Sequence, residues 1–296
     1  VVSDFMRELP FARVVVLDNR STDRSAELAA EAGADVIYVA RQGKGAVLRH
    51  VFREIMADIY VTADGDDACP ACAAKDLIAP ISGGRADMTI GDRISGGGYK
   101  LENKRKFHNF GNELVRALVN KCFGADVRDV MCGYRAFSRR FALSIPIYSD
   151  GFEVETEMTI KCLDRKLAIA QIPIPFRDRP SGTQPKLRTF RDGIRILHTI
   201  FSTLKNYKPL AFFGTFGMIF ACFGFFCGAP IIMDFVKTGG TPRVPLAVLA
   251  AGLELVAMTL FICAFILDTM IAYERSRNEL EILKFGDRER NDKNHA

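Results

Sequence analysis

Two patterns of apolar and polar residues follow one another along this chain. From residue 12 to about residue 176, short apolar runs bounded by charged or glycine-containing turns alternate with segments of helical spacing. "ARVVVLD", "DVIYVA", "DIYVTAD" and "ADMTIG" read as buried strands, and "GKGAVLRHVFREIMA" and "CAAKDLIAPI" read as helices. "STDRSAELAAEAG" offers helix-start residues, an alanine-rich body and a closing Gly33. This alternation predicts an α/β fold, a mostly parallel sheet with helices on both faces. In such sheets ligands bind beyond the carboxyl ends of the strands, which singles out Asp18, Asp64 and the turn "RQGKG".

The second pattern begins near residue 210. Residues 210–236 contain one charge, Asp234, and residues 244–272 contain two, Glu254 and Asp268. Each run exceeds the roughly 20 residues that cross a bilayer core, and neither shows a polar face. Two membrane spans joined by the turn "KTGGTPR" are predicted, with Pro230 kinking or ending the first. Arg188, Arg191, Arg195, Lys205 and Lys208 precede the hairpin, and Arg275, Arg277 and Lys284 follow it. Its loop has only Lys237 and Arg243. The positive-inside rule then puts the N-terminal domain and the charged tail at 274–296 in the cytoplasm, at the plasma membrane in a prokaryote. Phe190, Ile194, Leu197, Phe201 and Leu204 form one apolar stripe, so 188–208 reads as an amphipathic helix. It could lie among lipid headgroups or pack on the domain. The expected division is a domain at 1–187, this helix, spans within 209–273, and the tail.

Composition sharpens the picture. The 49% hydrophobic and 25% charged fractions are separated along the sequence, and a net charge of +5 without a basic-aromatic run excludes a nucleic-acid partner. Eight irregularly spaced cysteines form no disulfide framework and suit reduced, buried thiols. The stretch "ADGDDACPAC" sets Asp64, Asp66 and Asp67 beside Cys69 and Cys72. Zinc needs four ligands, and no second Cys/His pair stands at a suitable spacing. Crowded carboxylates at a strand end are costly unless a positive charge sits there, and hard oxygen donors favour Mg2+ or Mn2+. Such an ion would neutralise a diphosphate; a solvated acidic turn is the alternative. Gly43-Lys44-Gly45 opens a helix, where free amides and a lysine could meet a phosphate, or where the chain simply turns. Asp18 is equally a capping or turn residue.

In order along the chain, "VVVLDNRSTD", "GKGAVLR", "DGDD", "GDRI", "DVMCGYRAFSRR", "GFEVETEM" and "IPIPFRDRPSGTQPKLRTFRDG" resemble a membrane-anchored family 2 glycosyltransferase. The nearest type is the dolichyl- or polyprenyl-phosphate sugar synthase, as in dolichol-phosphate mannose synthase. The resemblance implies a GT-A, Rossmann-like fold and inverting transfer from a UDP- or GDP-linked sugar to a polyprenyl phosphate. It implies that Asp18 meets the nucleobase with Asn19 beside it in the nucleotide site, Lys44 approaches the phosphates, and Asp64 and Asp66 hold Mg2+ or Mn2+. Asp66, Asp129 and Glu153 would be catalytic, with Glu155 also lining the sugar side. Arg135, Arg177, Arg179 and Lys186 would receive the lipid phosphate. Departures are Arg20 for a usual glycine, Asp92 for a usual serine, and Pro185 before Lys186. The family's opening strand and its nucleotide turn are also absent, "VVSDFMRELP" reading as the end of the first helix. A gap in the sheet is therefore expected. A membrane enzyme acting on a sugar hydroxyl and an inactive membrane scaffold remain rival readings, and a homo-oligomeric assembly stays open.

Overall fold

The computed structural model describes residues 1–95, 106–151, 153–175, 201–240 and 243–294. It divides into two compact units, Val1–Ile196 and Leu197–Ala296.

In the first unit the alternation expected from periodicity is realised. The elements are α1 (Val2–Glu8), β1 (Val15–Asp18), α2 (Ser25–Glu31), β2 (Asp35–Tyr38), α3 (Lys44–Glu54), β3 (Ile59–Thr62), α4 (Ala74–Ser82) and β4 (Met88–Asp92). Then come α5 (Lys106–Phe123), β5 (Arg135–Ser138), α6 (Arg139–Ser144), α7 (Val154–Asp164) and β6 (Ile169–Pro173). Strands β1 and β2 pair in parallel as a sheet of their own, and the other four are ordered β3-β5-β4-β6. Among the described residues the two sheets share no strand pair.

Strands β3, β4 and β6 run in one direction, and β5 runs against both of its neighbours. The short run "RAFS" has an arginine at its head, so periodicity does not reveal this reversed strand. Its consequence is local: Arg135 pairs with Thr62, so the chain entering β5 arrives beside the carboxyl end of β3. Ser138 ends the strand and caps α6 by accepting the Phe141 amide proton at 3.1 Å.

The core lies between this sheet and its helices. Leu77, Met88, Ile90, Tyr134, Phe137, Phe141 and Val154 are fully buried. Phe52 of α3 meets Tyr60 and Phe137 edge-on, both at 5.5 Å. Each such ring contributes about 1.5–3 kcal/mol through burial, which clamps α3 to β3 and β5.

In the second unit residues 201–207 are helical, followed by α8 (Pro209–Thr238) and α9 (Val244–Asn294). The rest of the expected amphipathic helix, 188–200, lies outside the described residues. Gly217, Gly224 and Ile231 of α8 and Ala250, Ala257 and Ala264 of α9 are the buried seam. Each set repeats every seventh position. That period keeps the seam on one line, and its small residues let the helices approach closely. The Glu254 side chain packs against Gly224, where a Cβ would lie 2.6 Å from its Oε1.

Outward faces are apolar, with Phe223, Phe225, Phe226 and Ile232 exposed. Two stretches, Pro209–Thr238 and Val244–Arg277, are long and apolar enough to cross a membrane. Pro230 does not end α8, which runs on to Thr238 and stops at Gly239, whose φ of 70° is a conformation glycine adopts without strain. The charged stretch that follows residue 273 continues α9 as helix to Asn294.

Candidate active site

The site gathers at the carboxyl ends of β1 and β3. Asp18, the last residue of β1, accepts the Ser21 amide proton at 3.2 Å. Between them Arg20 takes φ 66°, where glycine was expected and where other residues are strained by roughly 1–2 kcal/mol. Asn19 donates to the carbonyls of Val39 at 2.9 Å and Arg41 at 2.8 Å, and its Oδ1 accepts from Gly43 N at 2.7 Å. Its amide is committed to tying β1 to the Gly-Lys-Gly loop. It therefore positions that loop at the carboxyl end of β1.

The glycines flanking Lys44 answer to close approach of a second loop. A Cβ on Gly43 would collide with the carbonyl oxygen of Asp150, and one on Gly45 with that of Ser149. Gly45 N donates to Asp150 O at 3.0 Å, so the amides of Gly43 and Gly45 are both engaged. The expected phosphate cradle of free amides at these two positions is thus replaced by a loop-on-loop contact. That second loop is strongly held. Arg49 donates to the Tyr148 and Ser149 carbonyls, each at 3.0 Å, and pairs with Asp150, which Arg41 also contacts at 2.8 Å. Hydrogen bonds from Arg49 and Arg41 hold the Asp150 carboxyl below its usual range. Glu157 accepts the amides of Tyr148 at 2.9 Å and Ser149 at 2.8 Å and pairs with Lys161 at 2.6 Å.

With the amides engaged, the Lys44 side chain is what the loop presents. Its Nζ lies 2.6 Å from Asp64 Oδ1 and 2.6 Å from Glu155 Oε1. Burial opposes its charge, but the Glu155 and Asp64 carboxylates outweigh that and hold the ammonium above the ordinary lysine range. Gly133, whose carbonyl accepts the Thr62 hydroxyl proton at 3.1 Å, closes over this trio. A Cβ there would lie 2.9 Å from Asp64 Oδ2, and closer still to Lys44 Nζ. The antiparallel β5 is what brings Gly133 here.

Asp66 accepts the Ala68 amide proton at 3.2 Å, and Asp67 turns the chain at φ 59°. Among the described residues no three or more Asp, Glu, His or Cys side chains gather as a metal cage. Two carboxylates two positions apart, Asp64 and Asp66, form a hard donor set of the kind that holds Mg2+ or Mn2+ together with substrate phosphate oxygens and water. The donor set therefore fits such an ion. Beneath the turn, burial together with Cys132 and Asp64 pushes the Cys69 thiol up to about 12, opposite to what a reactive thiolate requires.

The remaining expected residues are placed as follows. Asp129 is buried and accepts from Arg93 Nε at 2.7 Å and Nη2 at 3.0 Å, so both of its oxygens are occupied. Asp92 is buried too and caps the Ile94 and Ser95 amides, each at 3.0 Å. Arg135, expected at the lipid phosphate, is fully buried. Its guanidinium donates to the Cys132 and Val130 carbonyls at 2.7 and 2.6 Å and to Thr159 Oγ1 at 3.0 Å. It braces the core beneath the site, a correction that follows from its place at the head of an inner strand. Glu153, expected to be catalytic, is exposed and accepts from Gly151 N at 3.3 Å. The carboxylate that reaches Lys44 is that of Glu155, also expected on the sugar side. Arg177, Arg179 and Lys186 lie outside the described residues.

The model of the family described as Glycosyl transferase family 2 matches residues 4–144. The chain is 31% identical over 278 residues to the glycosyltransferase AglJ of Haloferax volcanii, covering 94% of this chain and 90% of that protein. It is 32% identical over 185 residues to the dolichyl-phosphate hexose transferase of Haloferax volcanii, covering 62% of this chain and 78% of that protein. It is 26% identical over 191 residues to the polyprenol monophosphomannose synthase of Mycolicibacterium smegmatis, with 58% and 69% covered. A solved structure of glucosyl-3-phosphoglycerate synthase from Mycobacterium tuberculosis, with Mn2+, UDP-glucose and phosphoglyceric acid, matches with a TM-score of 0.53. At 23% identity over 68% of this chain and 74% of that one, it shows a GT-A-like fold.

Proposed function

The chain belongs to glycosyltransferase family 2, and from that premise we propose that it moves a sugar from a UDP- or GDP-linked donor to a polyprenyl or dolichyl phosphate. The transfer takes place at the cytoplasmic face of a membrane and inverts the anomeric centre. The observation carrying this reading is the Lys44–Asp64–Glu155 cluster at the carboxyl ends of the strands, in a chain that also has two long apolar helices. Two relatives are named for dolichyl-phosphate or polyprenyl-phosphate sugar transfer, which supports the lipid acceptor.

Asp64 and Asp66 would hold Mg2+ or Mn2+, which supplies charge neutralisation to the departing nucleotide diphosphate. Lys44 adds a fixed positive charge on the same side, and the Asp150 loop keeps it there. An acceptor phosphate monoester is largely ionised at neutral pH, its second pKa being near 6, so its oxygen can attack C1 without a general base. This fits Asp129, which is tied to Arg93 through both oxygens and so orients its neighbours. Arg177, Arg179 and Lys186 are assigned to the lipid phosphate on their sequence resemblance. The two apolar helices keep the site at the membrane where that acceptor resides.

The test offers UDP- and GDP-sugars with synthetic polyprenyl phosphate, polyprenol or a glycolipid to the full chain in nanodiscs. Transfer to the phosphate alone is expected, and Asp66→Ala should abolish it without lowering Tm. Transfer to hydroxyl acceptors but not to the phosphate refutes the lipid-phosphate reading, and unchanged turnover in Asp66→Ala refutes the metal role.

A further inference from the structure

Asp64 is the expected metal ligand, yet its Oδ1 already touches the Lys44 ammonium at 2.6 Å. A divalent cation arriving on this carboxylate meets a positive charge in contact with it, in a half-buried setting where repulsion is poorly screened. Glu155 offers the ammonium somewhere else to rest. Its side chain is 4% exposed and its Oε1 also lies 2.6 Å from Lys44 Nζ. Its Oε2 is buried and accepts no hydrogen bond, a costly arrangement that calls for an explanation. Gly133 keeps the third side of the ammonium clear of any side chain.

We propose that Glu155 is a positioning residue acting through Lys44. It holds the ammonium as the resident counter-cation of Asp64 and sets how readily a divalent ion takes that carboxylate. The inference rests on the reading of Asp64 as a metal ligand. With Glu155 present, Lys44 retains a compensating charge when the ion binds and can release Asp64 Oδ1. With Glu155 neutral, Lys44 has Asp64 alone and competes with the ion.

The experiment is Mn2+ binding without nucleotide, followed by the electron paramagnetic resonance signal of free Mn2+, on the full chain in nanodiscs. Asp64→Asn should abolish binding. Lys44→Met should tighten it by about tenfold, and Glu155→Gln should weaken it by about threefold. Opposite signs in two partners of one ion pair are not produced by loosened packing, which weakens both. Lys44→Arg, which keeps the charge, should stay near wild type. If Glu155→Gln fails to fold, the Lys44→Met and Lys44→Arg pair carries the test. Lys44→Met that leaves affinity unchanged or lowers it overturns the inference, as does Glu155→Gln that leaves it unchanged or raises it. In those cases loss of binding in Asp64→Asn leaves the metal reading standing. Binding that ignores Asp64→Asn, or that is undetectable in both wild type and Lys44→Met, overturns the metal reading and the inference together.

Discussion

Gly133→Ala adds one methyl group at the point where Lys44, Asp64 and Glu155 converge. The new Cβ would sit 2.9 Å from Asp64 Oδ2 and 3.4 Å from Glu155 Oε1, with the Lys44 ammonium nearer than either. Ordinary contact for such atoms begins at about 3.5 Å, so the ammonium has to retreat by about 1 Å. That retreat breaks at least one of its two 2.6 Å pairs. All three obstacles are ends of side chains and none is backbone, so the fold should survive with a loss of about 1–3 kcal/mol. Sugar transfer should suffer more, because a misplacement of about 1 Å at a reacting centre costs about 100-fold. The assay is kcat/KM for the sugar nucleotide, with Tm measured on the same sample. The same substitution in a Lys44→Met background should add a smaller further loss, because the ammonium it strikes hardest is gone and only the 2.9 Å approach to Asp64 Oδ2 remains. Activity of Gly133→Ala within threefold of wild type, or equal penalties in both backgrounds, refutes this account of the cluster.

Two further outcomes follow from the surroundings of the site. Burial raises the Glu157 carboxyl, but Lys161 and the Ser149 and Tyr148 amides outweigh it and hold it below its ordinary value. A depressed carboxylate contributes stability above its unfolded pKa of about 4.3 and loses it as pH falls through the folded value. Glu157→Gln should therefore lower stability by about 1–2 kcal/mol at pH 7, and the gap from wild type should close in acid; a gap independent of pH would contradict this. Replacing Cys69 and Cys72 together with alanine should leave sugar transfer within about threefold of wild type and cost about 1 kcal/mol in stability. A large loss of activity, or zinc found by elemental analysis, would return the chemistry to the thiols.

What the sequence determined by itself was local or periodic. Alternating apolar runs placed the strands, Gly33 and the charged turns closed the helices, and the unbroken apolar stretches marked α8 and α9. Side-chain period and turn chemistry act over a few residues, so they are legible without contacts. The pair Asp64 and Asp66 stood out for the same reason, as like charges crowded at a strand end. What only tertiary structure decided depends on elements far apart in the chain. The reversal of β5 carries Gly133 to the end of β3 and buries Arg135, which sequence reasoning assigned to a phosphate. The Asp150 loop, 101 positions from its partner Arg49, engages the Gly45 amide and lies across Gly43. Of the three glutamates at the start of α7, packing turns Glu155 toward Lys44, Glu157 toward the loop amides and Glu153 toward solvent. A local pattern states which groups are available. Which of them meet is set by the burial of the whole sheet, because that is where the free energy of bringing distant charges together is offset.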